Sequence, residues 1–284
     1  MSAPPLFRLV DERRVSVVRD VHAVNRVLDA DVVGSCMVAA RVADHGVDPN
    51  AIGGELWTRR HADESLCYAG ANLIPLRGHA ADLNAFADKA MGQARRCSSV
   101  VGRAELVLPM WERLESAWGP ARDVRSNQPL LALSGQPLCP VDPAVRRVRI
   151  DELDAYLVAA VDMFIGEVGI DPRLGDGGRG YRRRVAGLIA AGRAWARFEH
   201  GEVVFKAEVG SESPAVGQIQ GVWVHPERRG HGLGTAGTAA LAAAVVAGGR
   251  TASLYVNSFN TVARAAYAKI GFSQVGTFAT VLLD

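Results

Sequence analysis

The segment Val222-Trp223-Val224-His225-Pro226-Glu227-Arg228-Arg229-Gly230-His231-Gly232-Leu233-Gly234 carries more chemistry than any other stretch of the chain. A run of β-formers leads into a turn holding glycines and two arginines, and an alanine-rich helical pattern follows at once. A strand ending in such a turn bares several backbone N–H groups, and the helix N-terminus adds a partial positive charge. Gly230, Gly232 and Gly234 omit the Cβ atoms that would hold phosphate oxygens away, while Arg228 and Arg229 bring fixed charge. The chemistry expected here is capture of a diphosphate. A plain glycine-rich turn would explain the glycines, but not their coincidence with arginines and a helix start.

Gly232-Leu233-Gly234-Thr235-Ala236-Gly237 also spells the G-x-G-x-x-G dinucleotide fingerprint, and its context argues against that reading. In the fingerprint the first glycine follows its strand almost directly, whereas seven residues separate Val224 from Gly232. Asn257 stands where an acid should bind the ribose hydroxyls.

The segment resembles the acetyl-CoA motif of the GNAT acetyltransferase superfamily, Arg/Gln-x-x-Gly-x-Gly/Ala, met by Arg229, Gly230, His231, Gly232, Leu233 and Gly234. A second GNAT-like motif follows in Leu254-Tyr255-Val256-Asn257, then Asn260, Ala263, Arg264, Tyr267, Lys269, Ile270, Gly271 and Phe272. The likeness covers about residues 145–284 and extends to an actinobacterial GNAT group with a poorly characterised N-terminal GNAT-like domain. It implies acetyl-CoA as co-substrate, no metal, and direct attack of a primary amine on the thioester in a ternary complex. The pantetheine arm would run along the strand that ends in Val222, Trp223 and Val224, with a backbone N–H near Val224 polarising the thioester carbonyl. Tyr267 would protonate the leaving thiolate, and Asn257 and Asn260 would contact the cofactor arm. Tyr267 also suits the core face of an amphipathic helix, and Asn260 suits a helix N-cap. Lys269 or Arg264 could meet the 3′-phosphate.

A general base is needed as well, and several carboxylates compete. Glu208 lies on a strand whose neighbours Phe205, Ala207 and Val209 read as buried, and is the residue expected to act as base. Glu167 and Asp171 fall where the family's first helix and loop form the acceptor pocket, and His225 follows the cofactor strand. Solvated surface explains each of these equally well. The acceptor itself stays open between a protein amine and a small metabolite, because Glu167, Asp171 and Asp176 sit beside Arg173, Arg179 and Arg182-Arg183-Arg184. Two alternatives accompany the transferase reading: a non-catalytic CoA-binding sensor or scaffold, and transfer of a different acyl group.

The elements that must position these residues read as an α/β (α+β) chain. Helical spacing covers 151–168 and 181–191, strands cover 194–199, 202–209 and 218–224, and the alanine-rich helix runs to about Ala247. A short buried strand at 253–257, a helix at 261–270 and a closing strand pair at 274–283 complete the order. The first half repeats it: helices at 21–28, 36–43, 80–94 and 105–117, and strands at 55–59, 66–73, 98–101 and near 130–133. At a shift of 152 residues Arg77-Gly78-His79 falls on Arg229-Gly230-His231, and Gly119 on Gly271. The shared order makes duplication the better reading, giving two GNAT-like domains, each a mixed, mostly antiparallel sheet flanked by helices. The Pro-rich stretch 128–143 puts the boundary near 138, with residues 1–138 in a degenerate N-terminal domain and 139–284 in the acetyl-CoA-binding domain.

The first copy departs from the motif. Gly232 becomes Ala80, Gly234 becomes Asp82, Tyr267 becomes Glu115 and Asn260 becomes Leu108. A diphosphate would be repelled by Asp82, so this domain is expected to pack and to wall the acceptor site.

Composition sets the outer limits. With 284 residues, 49% hydrophobic and 22% charged, the chain has material for real cores and is not largely disordered. Net charge +2 gives no reason to expect nucleic acid or membrane as partner; an amine acceptor and a homodimer are the partners left open. Only Lys89, Lys206 and Lys269 are lysines among 32 basic residues, a bias that codon usage explains. Cys36, Cys67, Cys97 and Cys139 form no metal spacing, which fits a reducing cytoplasm. No long apolar run appears, and MSAPPLFRLVDERR lacks a secretory h-region.

Overall fold

The structure, a computed structural model, describes residues 15–284; the N-terminal stretch read for a leader lies outside them. The chain divides into two compact units, one of residues up to Asn127 together with Phe278–Asp284, the other Gln128–Thr277. The division therefore precedes the Pro-rich stretch instead of falling within it at 138.

The first unit carries strands β1 (Ser16–Val17), β2 (Glu55–Thr58), β3 (Leu66–Ala69), β4 (Leu73–Arg77) and β5 (Ser99–Arg103). Its helices are α1 (Val21–Ala30), α2 (Cys36–His45), α3 (Pro49–Ile52), α4 (Ala80–Met91) and α5 (Ala104–Trp118). The stretch 66–73, expected to be one strand, splits into the β3–β4 hairpin because Gly70 and Asn72 turn the chain. Leu83, Phe86, Val107, Met110 and Leu114 bury the inner faces of α4 and α5.

The second unit carries the C-terminal half of β6 (Asp123–Leu133), then β7 (Arg146–Arg147), β8 (Ala194–Glu199), β9 (Glu202–Glu212), β10 (Val216–Val224) and β11 (Thr251–Tyr255). Helices α6 (Leu153–Val168) and α7 (Arg179–Ala190) cover one face; α8 (Leu233–Ala247) and α9 (Thr261–Ile270) cover the other. Alternation along β9 builds both cores: Phe205, Ala207 and Val209 join the layer that holds Leu241 and Tyr267. The intervening side chains, Lys206 and Glu208, point to the α6–α7 face and are buried there without being apolar.

The last strand, β12 (Ser273–Leu282), is one continuous strand where a pair was expected. It does not close the second unit. Its residues Phe278–Leu282 pair antiparallel with Arg103–Ser99 of β5, and Ala279 and Val281 enter the first unit's core. Conversely, Leu130–Leu133 of β6 pair antiparallel with Tyr255–Ala252 of β11 in the second unit. Each half of the chain has thus given its sixth strand to the other. Otherwise the topologies match: strand order β1-β2-β3-β4-β5-β12 in one unit and β7-β8-β9-β10-β11-β6 in the other, with β4–β5 and β10–β11 the parallel pairs. At the 152-residue shift β5 superimposes on β11, and the end of α5 falls on the end of α9. Each unit is a mixed, mostly antiparallel sheet flanked by helices.

Candidate active site

β10 and β11 are paired in parallel only over Val216–Gln218 and Thr251–Ser253. Beyond Gln218 the pairing stops, and the end of β10, Val222 to Val224, lines a gap. A register shift between Gln220 and Trp223 and a left-handed Gly221 (φ +60°) turn this stretch of β10 outward. His225 N donates to Val204 O across to β9 (3.0 Å), so by strand alternation the backbone of Val224 points the opposite way, into the gap. There its carbonyl accepts from Arg229 Nε at 3.1 Å.

The gap is a cleft of about 950 Å³ lined by α6, the end of β10, the glycine turn, the start of α8 and α9. Of the residues expected from sequence it brings together Val222, Trp223, Val224, Arg229, Gly230, Gly232, Leu233, Gly234, Asn260 and Tyr267, along with Arg228 and Lys269. The two arginines are positioned by specific partners: Arg228 pairs with Glu199, and Arg229 is tied to Val224.

The glycines divide into two kinds. Gly230 and Gly232 have φ of +79° and +82°, which a side chain would make costly by about 1–2 kcal/mol. Gly234 has ordinary φ, and a Cβ there would meet only Val224 Cγ2 at 3.4 Å, an ordinary contact. Its bareness matters on the cleft side. Gly237, the last glycine of the apparent fingerprint, serves packing, because a Cβ would strike the Phe205 ring at 2.7 Å. Gly232 is the N-cap of α8 and supplies no side-chain acceptor, so the first N–H groups of this 15-residue helix are left open to the cleft.

The first unit closes the equivalent turn with its own anion. Asp82 accepts from His79 N (3.0 Å) and from Arg59 Nη1 (3.1 Å), so a carboxylate occupies the N-terminus of α4.

Tyr267 lines the opposite wall from α9, 7% exposed, with its ring edge against Phe272. Among the described residues nothing hydrogen-bonds to its hydroxyl. Burial first, and then the negative charge of Glu167, push the phenol well above its usual range, so the proton stays on. Asn260 both lines the cleft and caps α9, its Oδ1 accepting from Ala263 N at 3.1 Å.

Other expected residues lie elsewhere. Asn257 accepts from Gln128 Nε2 at 2.9 Å, and neither it, His231 nor His225 lines the cleft. Arg264 donates to Ser258 O. Glu208 was the expected base, but it is 2% exposed on the α6–α7 face and engaged with Gln220 Nε2 (2.8 Å), Arg184 (3.6 Å) and Lys206 (3.9 Å). Its strand parity is the reason: the same alternation that buries Glu208 turns it toward a lysine two residues away on the same face.

Asp162 and Glu167 take its place on the cleft wall. Asp162 was not foreseen, and it accepts from Trp223 Nε1 at 2.9 Å. The signal lay in the near-uniformly apolar run Leu153–Val168, where a lone mid-helix acid marks a face that is not core. Among the described residues no group of three or more His, Cys, Asp or Glu side chains is arranged to hold a metal ion, and no helix is long and apolar enough to cross a membrane.

Comparisons with known proteins agree with this geometry. Residues 205–281 match the FR47-like protein family, and residues 54–156 match a domain of unknown function, DUF4081. No curated protein matches the chain. Among solved structures, a Drosophila protein aligns over 95% of this chain and 98% of its own at 14% identity, with a TM-score of 0.65. An acetyltransferase of the GNAT family from Colwellia psychrerythraea aligns over 95% and 100% at 10% identity and TM-score 0.56. A tandem GNAT protein from the clavulanic acid biosynthesis pathway aligns over 95% and 98% at 15% identity and TM-score 0.51. The FR47-like match thus spans the parted parallel strands and the uncapped helix after the glycine turn, and the chain as a whole has the fold of a tandem GNAT protein.

Proposed function

We propose that the second unit is a cytoplasmic N-acetyltransferase that moves an acetyl group from acetyl-CoA to a primary amine. The observation that carries this reading is the meeting, in one cleft, of the open β10 edge, the uncapped N-terminus of α8 and the Tyr267 hydroxyl. In it the diphosphate sits on the N–H groups after Gly230 and Gly232, beside Arg228 and Arg229. The pantetheine amides bond the β10 edge that β11 has left unpaired, and the Val224 N–H faces the thioester oxygen. The acceptor nitrogen attacks the carbonyl carbon; a C–N bond forms, the C–S bond breaks, and the amine proton passes to Glu167. Because burial and Glu167 hold its proton on, Tyr267 works as a hydrogen-bond donor to the departing sulfur before any full transfer. The first unit, whose turn is filled by Asp82, takes no part in cofactor binding.

The test is thiol release from acetyl-CoA in the presence of pooled amines, alongside calorimetric titration of acetyl-CoA. The expected result is turnover that falls about 100-fold or more in Tyr267→Phe, on the scale of a lost proton donor, with acetyl-CoA affinity kept. Binding without turnover for any amine would point to a CoA-binding sensor. No binding would end the proposal.

A further inference from the structure

A lysine costs stability when buried, and Lys206 is 0% exposed on the α6–α7 face of β9. Its Nζ has no hydrogen-bond partner among the described residues. Glu208 does not require it, since that carboxylate already accepts from Gln220 Nε2 at 2.8 Å and pairs with Arg184. The Lys206 ammonium stands 3.9 Å from Glu208, beyond a hydrogen bond, and lies over the Tyr156 ring, 5.3 Å from its centroid. The hydroxyl of Tyr156, a fully buried side chain, is likewise without a partner. Two buried donors left unpaired on the same face call for an acceptor that the protein itself does not supply.

Their place in the fold says which acceptor. Gly221, at the left-handed break in β10, leaves one point bare: a Cβ there would stand 3.1 Å from Lys206 Nζ and 3.2 Å from Met163 Cε. Met163 also lines the cleft, and Val222, next after Gly221, joins its wall. A single flexible methionine thus stands between the buried amine and the cleft. The surroundings of Lys206 pull its pKa down through burial, and Arg184 adds to this, while Glu208 and Glu167 pull it back up. A desolvated lysine beside a second cation is a form that nucleophilic lysines take.

Resting on the acetyltransferase reading above, we infer that Lys206 is a self-acetylation site, its Nζ taking the acetyl group from acetyl-CoA in the cleft as the Met163 side chain swings aside. The ammonium gives one proton to Glu208, and the nitrogen attacks the thioester carbon. A C–N bond forms, the C–S bond breaks, and a second proton from the nitrogen leaves on the sulfur as the CoA thiol. The amide that remains supplies the missing partners: its carbonyl accepts from the Tyr156 hydroxyl and its N–H faces Glu208. Loss of the positive charge is tolerated because Glu208 keeps Arg184 and Gln220.

Incubating the full chain with acetyl-CoA, digesting it and weighing the peptides tests this, and Lys89, Lys206 and Lys269 are the only lysines to be told apart. The expected result is one acetyl group on the peptide that carries Lys206, absent from Lys206→Met while that variant binds acetyl-CoA as the parent does. Unfolding in urea before acetyl-CoA is added should drop Lys206 to the labelling rate of Lys89. Acetyl-CoA bound with no label on Lys206, label confined to Lys89 or Lys269, or Lys206 labelled equally before and after unfolding would each overturn the inference and leave the acetyltransferase reading standing. Failure to bind acetyl-CoA at all would instead remove the reading on which it rests.

Discussion

Replacing Gly234 with Asp separates folding from cofactor binding, because the two halves of the chain already run the comparison. Gly234 is the second residue of α8 and has ordinary φ, and a Cβ fits beside Val224 at 3.4 Å. An acid in the first turn of a helix stabilises it by about 0.3–1 kcal/mol, the role Asp82 plays in α4. The folded protein should therefore tolerate Gly234→Asp, with a melting temperature changed by no more than about 2 °C. Acetyl-CoA meets the opposite outcome. One added charge about 5 Å from each of two phosphate charges costs about 1 kcal/mol apiece at an effective dielectric near 60. The carboxylate also competes for the N–H groups that would hold the phosphate, adding about 1–2 kcal/mol. The sum of about 3–4 kcal/mol corresponds to acetyl-CoA binding roughly 100- to 1,000-fold weaker. Calorimetric titration measures the affinity, and a thermal scan of the same sample measures the fold. A dissociation constant within threefold of the parent in a folded protein would refute the assignment of the α8 N-terminus as the phosphate seat.

Other substitutions probe the scaffold. Glu208→Gln leaves the fully buried Lys206 ammonium without its carboxylate and should cost about 3 kcal/mol in denaturant unfolding, whereas Lys206→Met should cost far less, since Glu208 keeps Arg184 and Gln220. The Glu152 carboxyl is drawn from 4.5 down to about 2, chiefly by its hydrogen bonds from Arg146. A carboxylate whose folded pKa is depressed adds stability above its unfolded value and loses it as pH falls. Glu152 should thus contribute about 1 kcal/mol above pH 4.5, screened through a half-exposed Arg146, and lose it between pH 4.5 and about 2. Acid titrations of the parent and Glu152→Gln should converge across that window. Ala279→Asp puts a charge into the first unit's core and should unfold that unit, costing more than about 3 kcal/mol and reported by Trp57 and Trp111 fluorescence.

The glycine turn and the helix after it were legible in sequence because one uninterrupted segment holds the strand, glycines, arginines and helix start. Helix α9 was placed residue for residue, bounded by an Asn260 cap and a left-handed Gly271. The neighbours of Glu208 read as buried, yet the burial and partners of Glu208 itself do not follow from the strand alone, because Lys206, Arg184 and Gln220 reach it from three separate elements. Asp162 escaped notice because periodicity describes a helix's core stripe and says little about an exposed acid on a largely apolar helix. The strand exchange was invisible for a related reason. The tails Leu130–Leu133 of β6 and Phe278–Val281 of β12 are both short, wholly buried runs, so local pattern cannot say which β5-type strand each one joins.

That exchange makes synthesis order matter. The first unit's sheet stays one strand short until Phe278–Leu282 has left the ribosome, about 150 residues after the rest of that unit, a delay of roughly 8–30 s at ordinary elongation rates. Through this interval the edge of β5 and the apolar faces that Ala279 and Val281 will cover stand exposed, which is when such a chain most needs a chaperone. It also means that cutting the gene between the two halves yields two fragments, each carrying a strand the other needs and lacking one of its own.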